Sequence, residues 1–218
     1  MNIIIFVLIL INVYGSDKTD SFLAGSVVKS DEWIIDKKKD KEIFKNNVSF
    51  KNAIYTMKTD YAVYDRNQKL WFAEGRVYLK RNLNNNSYIE SYCDSAKYDE
   101  NYQKAVMLSK NGGVKTVFFD GIKKEIYTTY SIANEADLRS KTITFEKEFK
   151  LITSSLTAIS DMAVYYEDTK EFELQKQSQV LGYNNEYLIF FSADKVNINR
   201  ETKFIRAWDN VYGNIKRK

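Results

Sequence analysis

The chain has 218 residues, of which 44% are hydrophobic and 28% charged, so it can bury a core and is too apolar to remain disordered. Its 33 Lys and Arg against 29 Asp and Glu give a net charge of +4 with the signs interleaved, which argues against a basic groove for nucleic acid. There is no His, which excludes His-based triads, His-ligated zinc and His general bases, and the single Cys93 has no disulfide partner within the chain.

The chain opens on an apolar run at residues 3–11, Ile-Ile-Ile-Phe-Val-Leu-Ile-Leu-Ile. It is shorter than the ~20 residues a membrane-spanning helix needs. It fits the hydrophobic stretch of a secretory signal, with Val13-Tyr14-Gly15 offering a compact cleavage site, so residues 1–15 are expected to direct export. Left uncleaved, the same segment would act as an N-terminal anchor. No Cys follows it, so a lipoprotein anchor is unsupported. Residues 16–45 read as a polar N-terminal segment in which Lys37-Lys38-Lys39-Asp40-Lys41 is a solvated linker, and residues 214–218 read as a basic tail.

From about Asn46 to residue 213 the sequence consists of short runs of period-two alternation separated by turn clusters. The turns fall at Asp65 to Lys69, Asn82 to Asn86, Asp99 to Tyr102, Asn111 to Gly113, Asp120-Gly121, Glu167 to Lys170, Tyr183 to Asn185 and Asn199 to Thr202. Between them Tyr, Phe, Ile, Val and Thr dominate; Pro is absent and there are only 8 Gly, so Asn, Asp and Lys must make the turns. No window carries a capped helical stripe. An all-β fold is expected, extended and two-walled, built from stacked antiparallel hairpins.

One pattern recurs within this region. It runs Asp, a small or apolar stretch with an aromatic, a polar turn ending in Lys, an apolar strand, and Val. The copies start at Asp60, Asp94, Asp161 and Asp194, with a degraded copy near Asn134 to Lys141. The starting positions are separated by 34 (94−60), 67 (161−94) and 33 (194−161) residues, and a period of that size signals stacked repeats. Side chains alternate across a strand, so Asp60, Ala62 and Tyr64 are expected on one face, followed after the turn by Leu70 and Phe72. The counterparts are Ala96 and Tyr98; Ala163, Tyr165, Phe172 and Leu174; and Val196, Ile198 and Phe204. Each hairpin is thus one-sided, and stacking buries the apolar sides in a shared interior. The repeated Asp reads as structural, bonding nearby backbone or turn groups.

The remaining chemistry is sparse. Gly-rich phosphate loops and the Gly-x-Ser-x-Gly elbow are missing, and Asn111-Gly112-Gly113 is a turn with no helix after it. Acid pairs such as Asp65 with Glu74, or Glu167 with Asp168, read as solvated turn acids, and no twelve-residue calcium loop is present. No enzymatic role, metal or cofactor is expected. The apolar interior is open to two readings, an ordinary filled core or a lumen that accepts acyl chains.

The segments Thr59-Asp-Tyr-Ala-Val-Tyr-Asp65 with Ala73-Glu-Gly-Arg-Val77, and Ser192-Ala-Asp-Lys-Val-Asn-Ile198 with Ala207-Trp-Asp-Asn-Val211, resemble the OstA-like family of lipopolysaccharide transport proteins over residues 46–213. The resemblance implies a periplasmic protein with an elongated, open, twisted β-jellyroll that shields lipid A acyl chains in an apolar groove between inner and outer membrane. Its implied partners are lipopolysaccharide and other transport jellyrolls at either membrane, joined end to end through edge strands, or further copies of the chain itself. It brings no catalytic residue. Carried onto this sequence, the groove lining would be Ala62, Tyr64, Leu70, Phe72, Ala96, Tyr98, Ala163, Tyr165, Phe172, Leu174, Val196, Ile198 and Phe204. The bulk of these aromatics leaves a filled, structural β-repeat protein as an alternative, and an uncleaved leader would make the chain a membrane-anchored member.

Overall fold

The computed structural model describes residues 25–110, 112–183 and 185–218; the leader expected at 1–15 lies outside them. Sixteen antiparallel strands among the described residues form one sheet. They are β1 (Val27–Lys29), β2 (Glu32–Asp36), β3 (Lys41–Lys51), β4 (Tyr55–Asp65), β5 (Leu70–Asn82), β6 (Tyr88–Asp99), β7 (Lys104–Leu108) and β8 (Val114–Asp120). The second half comprises β9 (Glu125–Ser131), β10 (Ala133–Asp137), β11 (Thr142–Ile152), β12 (Leu156–Tyr166), β13 (Glu171–Tyr183), β14 (Tyr187–Asn199), β15 (Ile205–Trp208) and β16 (Tyr212–Arg217). The all-β expectation and the stacking of hairpins both hold. The sheet reaches beyond residues 46–213, however. The stretch expected as a polar segment supplies β1, β2 and half of β3, and the expected basic tail lies largely in β16.

Each long strand bends once, dividing the sheet into two facing walls. The bend is made where pairing slips, between Lys45 and Val48, Glu74 and Val77, Glu146 and Phe149, and Gln175 and Ser178. At each slip two consecutive residues take left-handed backbone: Asn46-Asn47, Gly75-Arg76, Lys147-Glu148 and Lys176-Gln177. A left-handed non-Gly residue costs about 1–2 kcal/mol, so these bends are held by their surroundings. Three of the four repeated Asp residues tie down neighbouring backbone or side chains, Asp60 at the Gly75-Arg76 bend itself. Asp60 pairs with Arg76 at 2.6 Å, Asp94 accepts from the Lys110 N–H at 2.7 Å, and Asp194 accepts from Asn210 Nδ2 at 2.7 Å. Asp60 therefore sits at the bend, turned away from Ala62, and not at a strand start on the inner face as alternation alone suggests. At Gly75 the contact is so close that a Cβ would stand 2.7 Å from Asp60 Oδ2.

All the turns along the first wall but the one after β12 share one construction, as does one turn of the second wall. Asp36, Asp65, Asp99, Asp120, Asp137 or Asn199 accepts backbone N–H bonds from residues two or three further on. Of these, Asp120 opens the matching turn of the second wall. The last turn residue is left-handed, and it is Lys at positions 69, 124, 141, 170 and 203. The run Lys37 to Lys39 belongs to the first such turn, a tight connection between β2 and β3. Turns on the first wall are also bonded to each other: Arg66 N–H to Asp40 C=O, Glu100 to Lys69, Leu138 to Gln103, Glu167 to Lys141 and Arg200 to Lys170, all 2.9–3.0 Å.

These backbone N–H bonds hold the carboxylates of Asp65 and Asp137 below the usual range, with Lys41 and Lys104 adding to the effect. A depressed native pKa contributes stability above the unfolded value of about 3.9 and loses it as pH falls through the native value. Asp65→Asn and Asp137→Asn should therefore flatten the fall in unfolding midpoint between about pH 4 and pH 2. An acid-denaturation series with the same slope as the parent chain would refute this.

Candidate functional site

The candidate site is the interior between the walls. On the first wall one row of directly paired positions runs Phe44, Ala62, Ala73, Ala96, Met107, Asn134, Phe145, Ala163, Leu174, Val196, Ala207. Beside it runs Tyr64, Trp71, Tyr98, Ala105, Ala136, Ile143, Tyr165, Phe172, Ile198, Ile205. The second wall answers with Phe50, Met57, Leu79, Ser91, Thr116, Thr129, Leu151, Ala158, Val180, Phe191.

Ten of the thirteen proposed lining residues stand in the first two rows: Ala62, Tyr64, Ala96, Tyr98, Ala163, Tyr165, Phe172, Leu174, Val196 and Ile198. Leu70, Phe72 and Phe204 do not. Phe72 pairs with Val63 and Lys97 on the outer side and is 38% exposed, Leu70 shares that side, and Phe204 is 57% exposed. The true counterparts of Phe172 are Trp71 and Ile205, one residue further along each time. A one-residue slip reverses the face of a strand. Trp71, Ala73, Ile205, Ala207 and the whole second wall escaped the sequence pattern.

Much of the interior is filled. At the N-terminal end Trp71 stacks on Tyr64 (centroids 4.4 Å) and meets Phe50 of the opposite wall edge-on at 5.0 Å. The Trp71 indole N–H and the Tyr64 hydroxyl both donate to Glu100, at 3.0 and 3.2 Å. Burial, reinforced by Glu100, pushes the Tyr64 hydroxyl up to about 12, so it stays protonated. In the C-terminal half Phe118 of the second wall packs on Tyr165 and Phe172 of the first at 4.7 and 5.4 Å. Phe145 and Phe149 complete that cluster. Arg200 covers it, its guanidinium 5.2 Å from the Phe118 ring and 4.5 Å from Tyr127, with Nη1 donating to the Tyr165 hydroxyl at 2.9 Å.

Between the two apolar clusters lies a buried polar group at the degraded repeat. Ser91 and Thr116 hydroxyls are 3.0 Å apart, Asn134 Nδ2 donates to Thr116 Oγ1 at 3.1 Å, Thr129 donates to the Thr116 carbonyl, and Ser131 donates to Asn134 Oδ1. Asn134 stands where the other repeats carry Ala62, Ala96 and Ala163. Above this group the walls leave a cleft of about 80 Å³, lined by Tyr55, Leu79, Ile89, Tyr98, Ala105, Met107, Ala136 and Ile143. Its charged lining residues are Arg81, Asp137, Lys141 and Glu167 at the mouth, and Lys80, whose ammonium turns to Glu90 on the outer face. Arg81 on the second wall meets Glu167 on the first at 2.7 Å.

Cys93 is buried at the bend of β6, and burial pushes its thiol up to about 12. The thiolate is the reacting form, so labelling by a thiol reagent at pH 8 should be about a thousandfold slower in the folded chain than in urea. Equal rates would show that β6 opens readily. Among the described residues no group of three or more His, Cys, Asp or Glu is placed to hold a metal.

Fold and interior together define a two-walled antiparallel β-repeat protein with an apolar interior and a lateral cleft. No family model matches the chain, and no curated protein does. Among solved structures it is similar to LptH, the LptA homologous periplasmic component of the lipopolysaccharide transport device from Pseudomonas aeruginosa. Identity is 8%, the match covers 90% of this chain and 99% of that one, and the TM-score is 0.27.

Proposed function

We propose that this chain is a non-enzymatic, exported lipid-binding bridge that carries lipopolysaccharide between the inner and outer membrane, with lipid A acyl chains lodged between its walls. The observation that carries this reading is the apolar cleft with its charged mouth. Transfer of acyl CH₂ groups from water into such a space is favourable by about 0.8 kcal/mol each. The resemblance of residues 46–213 to the OstA-like family supplies the identity of the lipid.

The ends of the sheet support assembly. β1 and β2 close one end and β15 and β16 the other, each with an outer edge free for pairing among the described residues. Val27, Trp33 and Ile35 are exposed at one end, Trp208, Tyr212 and Ile215 at the other. Unpaired edges bearing apolar side chains invite strand addition, by other transport jellyrolls or by a second copy.

A photoreactive amino acid at Tyr98 or Met107 should crosslink to lipopolysaccharide in cells, while the same group at Phe72 or Phe204 should not. Adducts from outer positions alone, or none anywhere, would sink the reading. A second reading, a structural β-repeat with a filled core, is favoured by the aromatic clusters around Trp71 and Phe118. It anticipates no lipid adduct at any position. N-terminal sequencing of the mature protein separates a soluble bridge from a membrane-anchored component.

A further inference from the structure

We propose that the lateral cleft is the entry port for one acyl chain bearing an anionic head, and that the Arg81–Glu167 ion pair is the latch that closes it. This rests on the lipid-binding reading and adds to it a place of entry and a means of control.

Three observations converge. The cleft lies at the junction of the two apolar clusters, in a stretch that neither Trp71 nor Phe118 and its neighbours fill. Its volume of about 80 Å³ is roughly half that of an engineered cavity that admits benzene, so in the closed form it accepts no more than a chain end. Deeper insertion needs the walls to part. The side chains that oppose parting at this point come from elements far apart in sequence: Arg81 near the end of β5 and Glu167 in the turn after β12, 86 residues away. Further along, the tie between Lys203 and Glu125 spans a stretch that is already packed solid, so releasing it opens no space.

The mouth also selects the head. Lys80 is paired with Glu90 and lies on the Tyr88 ring, and Lys141 is paired with Asp168, so Arg81, paired with Glu167, is the cation that a change of partner can offer to a head. An anionic head can take the place of Glu167 on Arg81, which frees the latch and leaves the guanidinium paired. An uncharged head leaves the arginine bonded to Glu167 and the walls closed. Entry of the chain and exchange of the ion pair are therefore the same event.

The test is a fluorescence titration of the full chain with cis-parinaric acid and with its methyl ester. The parent chain should bind the acid more tightly than the ester. Glu167→Gln, which loosens the latch and keeps Arg81, should tighten the acid by roughly fivefold, the ratio an ion pair of this exposure sustains. Arg81→Gln loosens the latch as well but removes the partner for the head, so acid and ester should then bind alike. Ala136→Trp and Ala105→Phe, which fill the cleft from the first wall, should abolish both.

Binding that is unchanged in Glu167→Gln and in a folded plug variant overturns the port and latch while the lipid-carrier reading survives. Failure of every variant, including the parent chain, to bind either probe overturns both. Glu167→Gln is a turn substitution outside the core, so the outcome does not hinge on whether the plug variants fold.

Discussion

Phe172→Ala should lower the unfolding free energy by about 3–5 kcal/mol, whereas Phe72→Ala should cost less than about 1 kcal/mol. Phe172 has no exposed surface and packs against Phe118, Tyr165, Phe145 and Phe149, so truncation removes ring contacts from both walls and leaves a cavity. Phe72 lies on the outer side between Val63 and Lys97, where water fills the space left behind. Urea unfolding midpoints with unchanged slopes measure the difference. Equal losses would mean that the first repeat is aligned as alternation from Lys69 suggests, with Phe72 inward, and that the pairing of Trp71 with Tyr64 is wrong.

The second large effect falls on the buried polar group. Thr116→Val keeps the shape of the side chain and deletes the oxygen that serves both Ser91 and Asn134. Two buried polar groups lose a partner, and the expected cost is about 2–3 kcal/mol. Replacing four members together, as Ser91→Ala, Thr116→Val, Ser131→Ala and Asn134→Ala, removes the unpaired groups along with their partners and leaves Thr129 its bond to the Thr116 carbonyl. That variant should recover much of the lost stability despite carrying three more substitutions. A single-variant cost below about 0.5 kcal/mol, or a quadruple variant less stable than the sum of its parts, would show that water already reaches this group.

The repeat and the all-β class were legible because period-two alternation and Asx-to-Lys turns are local properties. The register was legible where alternation is clean. In Glu171-Phe172-Glu173-Leu174 the charged residues mark the outer face, and Phe172 and Leu174 fall inward. In Leu70-Trp71-Phe72-Ala73 both faces are apolar, so nothing local says which points in; the pairing with Tyr64 and Tyr98 decides for Trp71. Phe204 fails for a related reason: it closes a turn with Lys203, and the strand proper begins at Ile205. The bends were hidden because, Gly75-Arg76 apart, their left-handed pairs are Asn46-Asn47, Lys147-Glu148 and Lys176-Gln177, which carry no glycine signature. The second wall was missed because its inner rows alternate across a bend that resets the count, and its centre is Ser91, Thr116 and Thr129, which no hydrophobic pattern selects.

That polar centre also governs how the chain comes apart. Most strand contacts here join strands within three places of each other in sequence, so cooperativity passes along the sheet step by step, and it is weakest where neighbours share hydroxyls and an amide in place of packed methyl and ring surface. Native-state hydrogen exchange should then resolve two foldons meeting near β6 and β10, with β12 and β13 the slowest to open and β3 to β5 opening as an earlier unit. The two ends can loosen independently, leaving a terminal strand free to join another chain while the far half stays folded.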